Sequence, residues 1–303
     1  MILSESAFIH NIIRLLREQN MRNFPGILAA LLPLFLVGCF ETSQVFTINP
    51  DGSGKVLLET RFQILSQHDE KPDNTQLKKE VLETLEKSDG VEAWKDLSYR
   101  IEPDGRIYFK GTAYFKNINA LELDKGSTVR WSRDGNEMVL EVALRKEEEE
   151  APEHVNLTKD QIGQRIQAER EQWKHSKPLM ESMMNTLKMD AVFQVCGQVG
   201  SVNNLKKTGD TSVSFHLEGA KMVQAIDSLI SNDAWMEQRA RAGFLERPED
   251  GPPVGADMNE LTFGQKGGIT ARVTGELKPL FDYNAESQAA KSEYSQILDV
   301  LKK

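Results

Sequence analysis

Cys39 offers the best-defined chemistry in this chain of 303 residues. It directly follows Gly38, at the end of an apolar run, Phe24 to Val37, that opens with Met21-Arg22-Asn23. A thiolate is a far better nucleophile than a hydroxyl near neutral pH. The missing side chain at Gly38 leaves room for an enzyme to reach the backbone just before the cysteine. Elsewhere the chemically capable residues are scattered. The histidines are His10, His68, His154, His175 and His216, and no two fall at i, i+3 or i, i+4. Without that spacing, and without a Cys–His cluster, no metal site is expected. His216 falls on the polar face of its strand, as a surface histidine does. Asp51-Gly52-Ser53-Gly54 lacks the further acidic ligands and closing Glu of a calcium loop. No G-x-S-x-G elbow, phosphate loop or dinucleotide fingerprint occurs. No catalytic, cofactor-binding or metal-ligating residue is therefore assigned. The 46 Asp and Glu residues guarantee chance carboxylate pairs, and a hydrolase built on one is the least favoured reading.

The other cysteine, Cys196, sits in DAVFQVCGQVG with no basic residue beside it, as a buried, inert thiol does. Residues 1–38 hold three arginines against two glutamates, so the remainder is one unit more negative than the whole chain at −9. That balance argues against nucleic acid, whose phosphates need clustered Lys and Arg. It argues equally against electrostatic attachment to anionic lipid head groups.

The elements around these residues alternate between strands and helices. Residues 43–48 and 55–65 read as a β-hairpin across Asn49–Gly54, with Val56, Leu58, Thr60, Phe62 and Ile64 on one face. Residues 75–88 form a helix with a stripe of Leu77, Val81, Leu82 and Leu85. A meander is expected over 95–102, 106–116, 127–132 and 137–145, punctuated by Asp-Gly pairs. Lys146 to Glu153 is a solvated acidic linker. Residues 157–189 are helical, divided or kinked at Pro178. Strands at 190–196 and 211–218 flank a turn-rich stretch, 197–210, where Asn203-Asn204 supplies turn conformations. Helices at 219–231 and 233–243 precede a proline-rich loop, Arg247 to Gly255. Strands near 260–264 and 268–275 lead to a last helix, 283–301.

The segment from Met21 to Cys39 resembles the signal peptide of bacterial lipoproteins, and Leu36-Val37-Gly38-Cys39 resembles their lipobox. The apolar run is about 14 residues, short of the roughly 20 that span a bilayer, and it contains Pro33. The resemblance implies a diacylglycerol thioether on Cys39, cleavage between Gly38 and Cys39, and acylation (typically palmitate) of the new amine. One acyl chain holds only marginally, but two or three make desorption negligible. Phe40 stands where Asp signals inner-membrane retention, so the resemblance implies the periplasmic face of the outer membrane. Residues 1–20 fit no part of this scheme and read as a mis-assigned start or an extended leader. Two further stretches, VFTINPDGSGKVLLE and VFQVCGQVGSVNN with TSVSFHLEG, resemble a loose group of lipoproteins with a mycobacterial LppM-type domain. Cys196-Gly197 stands where that group has Pro-Gly, and the group's C-terminal membrane helix has no counterpart. The resemblance implies an α+β domain able to hold lipid-like ligands.

The expectation is an α+β protein of antiparallel hairpins with helices on one face of the sheet. Residues 21–38 are the signal peptide, 39–146 a β-rich half, 147–156 the linker and 157–303 an α+β half. Its expected role is that of a non-enzymatic cell-envelope lipoprotein, held to the membrane through Cys39. It would bind a lipid-like ligand or an envelope protein, and no nucleic acid. The alternative is a structural or protein-interaction module without a ligand cavity, presenting its helices 157–189 and 283–301.

Overall fold

The computed structural model describes residues 38–63, 73–123, 127–144, 157–243, 245 and 256–302. The signal peptide before Gly38, the acidic linker, Ile64 and the proline-rich loop from Arg247 to Gly255 lie outside the described residues. Among the described residues, eleven strands and six helices make an α+β fold. The strands are β1 (Gly38–Ile48), β2 (Gly54–Gln63), β3 (Val91–Ile101), β4 (Ile107–Phe115), β5 (Ser127–Asp134), β6 (Glu137–Leu144), β7 (Lys188–Val195), β8 (Gln198–Asn203), β9 (Lys206–Gly209), β10 (Ser212–Glu218) and β11 (Ile269–Thr274). The helices are α1 (Asn74–Glu86), α2 (Lys159–Met184), α3 (Gly219–Ser231), α4 (Asp233–Arg241), α5 (Ala256–Phe263) and α6 (Tyr283–Leu301).

Seven strands form one sheet in the order β3-β4-β2-β1-β7-β10-β9. Its β1–β7 pair is parallel, while β1–β2, β2–β4, β3–β4, β7–β10 and β9–β10 are antiparallel. Register puts Phe46, Val56, Ala113, Trp94, Phe193 and Val213 in one row across six strands. All six are buried, with Val56, Trp94, Ala113 and Val213 fully so. Phe46 and Phe193 stack at 4.9 Å between ring centroids. Gly111 leaves room for the Trp94 indole and Leu97, which a Cβ there would strike. Alternation does the rest, because strand side chains point to opposite faces in turn.

Four more strands form a second sheet, β5-β6-β11-β8. Trp131, Leu140 and Ala271 share one buried row, and Met138, Val273 and Val199 the next. The expected meander is therefore two hairpins in two sheets. Two further corrections concern 198–203 and 206–209, which are strands rather than loop, and 260–264, which lies mostly in α5. Helix α2 is continuous through Pro178. The proline is exposed, and the cost is one lost hydrogen bond at residue 174. Helices occupy both faces of the large sheet rather than one. Phe263 of α5 packs on Phe215 at 5.3 Å, on the face that carries Phe46. On the other face, Ala290 of α6 meets Ala93 and Tyr114.

By contact density the chain divides into two units. The sheets belong to the unit of Leu34–Lys146, Glu181–Ile226 and Val254–Lys303, and the other comprises Glu147–Met180 and Asp227–Pro253 apart from the N-terminal segment. In the latter, Arg170 donates to the carbonyls of Ile230 and Ser231 and pairs with Asp233 at 2.7 Å. It thus satisfies the last carbonyls of α3. The Trp173 indole N–H donates to Asp227 at 2.8 Å, and Lys177 pairs with the same carboxylate at 2.9 Å. Burial raises the Glu169 pKa against the pull of Arg239.

Removing one ring of the Phe46–Phe193 stack leaves a cavity at the β1–β7 seam. Phe193→Ala is expected to cost about 3–5 kcal/mol, measured as a lowered urea midpoint with an unchanged slope.

Candidate functional site

Gly38 and Cys39 open β1. Glu41 is already paired on both sides, with Arg61 on β2 and Lys188 on β7. The register shift between Gly38 and Glu41 is a bulge, with Cys39 and Phe40 in the segment where the pairing slips. Cys196 follows β7 at the opposite end of the sheet, since Val195 is aligned with Ile48. The two cysteines are therefore not brought together. Cys196 is buried and free, and burial raises its thiol pKa.

The remaining sequence candidates serve structure. Asp51 Oδ1 accepts from the Ser53 backbone N–H at 3.0 Å and the Ser53 hydroxyl at 2.7 Å. Gly52 has φ +83°, the left-handed conformation that suits a glycine at this turn. Asn49, buried at 4% exposure, accepts from the Leu280 N–H at 2.9 Å and donates to Ser53 Oγ at 3.2 Å and the Phe281 carbonyl at 3.4 Å. It sews the segment before α6 onto the β1–β2 turn. Asn204 does take a left-handed φ of 55°. Its side chain also accepts from Gln265 N–H at 3.1 Å and donates to the Gln265 carbonyl at 2.8 Å. Asn203 donates to the Gly268 carbonyl, and Asn259 to that of Gly267. Three asparagines thus hold the loop from Gln265 to Gly268, a role invisible from the turn pattern alone.

His216 stands on the polar face of the large sheet between two carboxylates. Its Nδ1 lies 2.6 Å from Asp190 and its Nε2 2.9 Å from Glu218. Both contacts are hydrogen bonds at once when the ring is an imidazolium. Hydrogen bonding to Glu218 and Asp190 raises its pKa above the ordinary 6.5. On the same face, Lys55 pairs with Glu286 at 2.7 Å and lies 4.3 Å over the Phe281 ring. Glu92 is lowered by Lys291 and Tyr283, which bond it from α6. These pairs bind α6 to β2 and β3, and the Tyr114 hydroxyl of β4 donates to Glu286 at 3.0 Å. A shallow depression is lined by Thr47, Lys55, Gln194, Thr211, Ser212 and Phe281.

The opposite face holds an exception to its apolar character. Thr42 and Thr60 are cross-strand partners, 4% and 6% exposed. Neither hydroxyl has a hydrogen-bond partner. Gln44, on the same face of β1, is buried as well. An unpaired buried hydroxyl costs about 1–3 kcal/mol, so this spot suits a water or a ligand's polar atom. Among the described residues no group of three or more His, Cys, Asp or Glu is placed to hold a metal ion. No described helix is long and apolar enough to cross a membrane.

No family model matches the chain, and no curated protein matches its sequence. Among solved structures it is similar to the folded domain of the Mycobacterium tuberculosis LppM protein, determined by NMR. The identity is 12%, covering 81% of this chain and 94% of that one, with a TM-score of 0.34.

Two outcomes follow from this geometry. Asn49→Ala is expected to cost about 1–3 kcal/mol, because it orphans the buried Ser53 hydroxyl contact and two part-buried backbone partners, and to speed hydrogen exchange at the Leu280 amide. The His216 pKa is raised in the folded state, so its stabilisation is full below about pH 6.5 and fades as pH rises through the higher folded value. The stability gap between the native chain and His216→Gln should therefore be wider at pH 5.5 than at pH 8.5. A gap independent of pH would refute the bridged imidazolium.

Proposed function

We propose that this chain is a lipid-anchored cell-envelope lipoprotein, acylated on Cys39 and cleaved after Gly38. The sequence from Met21 to Cys39 carries this reading. A basic start, a short apolar run, a small residue and a cysteine coincide there, and the last two of them open β1. The periplasmic face of the outer membrane is the proposed location. Residues 39–303 act without catalysis, as a binding module for a lipid-like ligand or an envelope partner.

Two observations support the binding role over a hydrolase or an inert structural module. The lowered carboxylates Glu92, Asp104, Glu218 and Asp227 are held by cationic or hydrogen-bonding neighbours on other elements or along their own, and Glu169, raised by burial, has Arg239 as its charged neighbour. Such groups hold the fold together rather than sit apart as an acid–base pair. The orphaned hydroxyls of Thr42 and Thr60 give the core face a place for a polar atom of a ligand.

The full chain, expressed in a bacterium that processes lipoproteins, provides the test. The N-terminal peptide of the membrane-bound protein should begin at Cys39 and carry the mass of a diacylglyceryl group and an amide-linked acyl chain. Cys39→Ser should leave the precursor uncleaved. An unmodified Cys39 still joined to Gly38 in the native chain would sink the proposal.

A further inference from the structure

The register of β1 leaves no linker between the anchor and the fold. A single residue, Phe40, separates Cys39 from Glu41, which is held by β2 on one side and β7 on the other. A lipid on Cys39 is thus attached to the end of a central strand, and its position fixes which end of the large sheet meets the bilayer.

That end is the less buried one along β1. It gathers the end of β2 at Gln63, the start of β7 at Lys188, the end of β10 at Glu218 and the turn from Glu102 to Arg106. Here Phe40, Phe62 and Ile101 are only half-buried, whereas Phe46 and Ile48 further along β1 are 2% and 0% exposed. Phe62 and Ile101 share a row through Ile107. The neighbouring arginines are paired. Arg106 pairs with Asp104 at 2.7 Å and Glu41 at 3.4 Å. Arg61 pairs with Glu59 at 3.1 Å, and Arg100 with Glu102 at 3.0 Å.

We infer that this end of the large sheet is a membrane-seating surface whose partner is the lipid bilayer itself. The inference rests on the lipid-anchor reading above. Part-covered apolar side chains beside the anchor lie at the level of the head groups and add buried apolar area to that of the acyl chains. Because the arginines are already neutralised, seating does not depend on anionic lipid. With about 3.3 Å per residue, the eight residues from Glu41 to Ile48 lift the Asn49–Ser53 turn roughly 25 Å above the attachment point.

The experiment uses the processed full-length protein in phosphatidylcholine vesicles containing a nickel-chelating head-group lipid. A nitroxide is placed at Gln63→Cys, near the anchor, or at Asp210→Cys, near the far end; the native chain is the control for labelling of buried Cys196. The label at residue 63 should relax several-fold faster than that at 210, and adding phosphatidylglycerol should leave the ratio unchanged. Equal relaxation at the two sites, with acylated Cys39 verified by mass, would overturn the seating surface and leave the lipoprotein reading intact. A ratio that needs phosphatidylglycerol would overturn the apolar, charge-matched account of it. A Cys39 without lipid would overturn both readings.

Discussion

The pairing of β1 on both of its edges is the constraint from which the large sheet follows. On one side β1 runs antiparallel to β2, its hairpin partner; on the other it runs parallel to β7. The first pairing is local and closed by a tight turn. The second joins residues more than a hundred positions apart and carries the loop-closure entropy of everything between. It is sustained by the Phe46–Phe193 stack and by the buried row that continues from Trp94 to Val213. Remove β1 and the sheet falls into two pieces, β3-β4-β2 and β7-β10-β9, each with a bare edge.

Around that strand the two faces have separate duties. One is filled by large apolar side chains, with Thr42, Gln44 and Thr60 as its polar exception. The other is polar and holds α6 through Lys55, Glu92, Tyr114 and their partners. Tyr108 shows how close the two roles lie. It belongs to the polar row, yet it is buried at 7% exposure with Arg100 at 3.8 Å and Arg61 at 5.0 Å from its ring. Such cation–π packing covers an aromatic ring without an apolar neighbour.

Local signals in the sequence were strong enough to place the hairpins, α1, α3, α6 and the clean alternation of β10. They rest on period and turn chemistry, which act over a few residues. The division of the strands between two sheets was not legible, because Leu140 reads the same whichever sheet it joins. β8 and β9 carry too little apolar alternation to stand out, and β9 is exposed along its length. α5 is short and only weakly amphipathic, so its residues passed for a strand. At the candidate site, Cys39 stands out in the sequence by its neighbours, whereas the double pairing of β1 from Glu41 onward was not legible. Asn49 and Asn204 looked like turn residues. Their partners lie 231 and 61 positions away, beyond any local pattern.

The direct run from Cys39 into β1 also has a mechanical meaning. A pull on that residue away from the domain acts along the strand, against hydrogen bonds on both flanks that are loaded together in shear rather than opened one after another. Strands in this geometry resist extension far better than strands peeled from an edge, and rupture is governed by the unfolding barrier rather than by equilibrium stability. Held at Cys39 as proposed, the domain would pass force between its attachment point and its interior without a compliant spacer, as a bolt does and a rope does not.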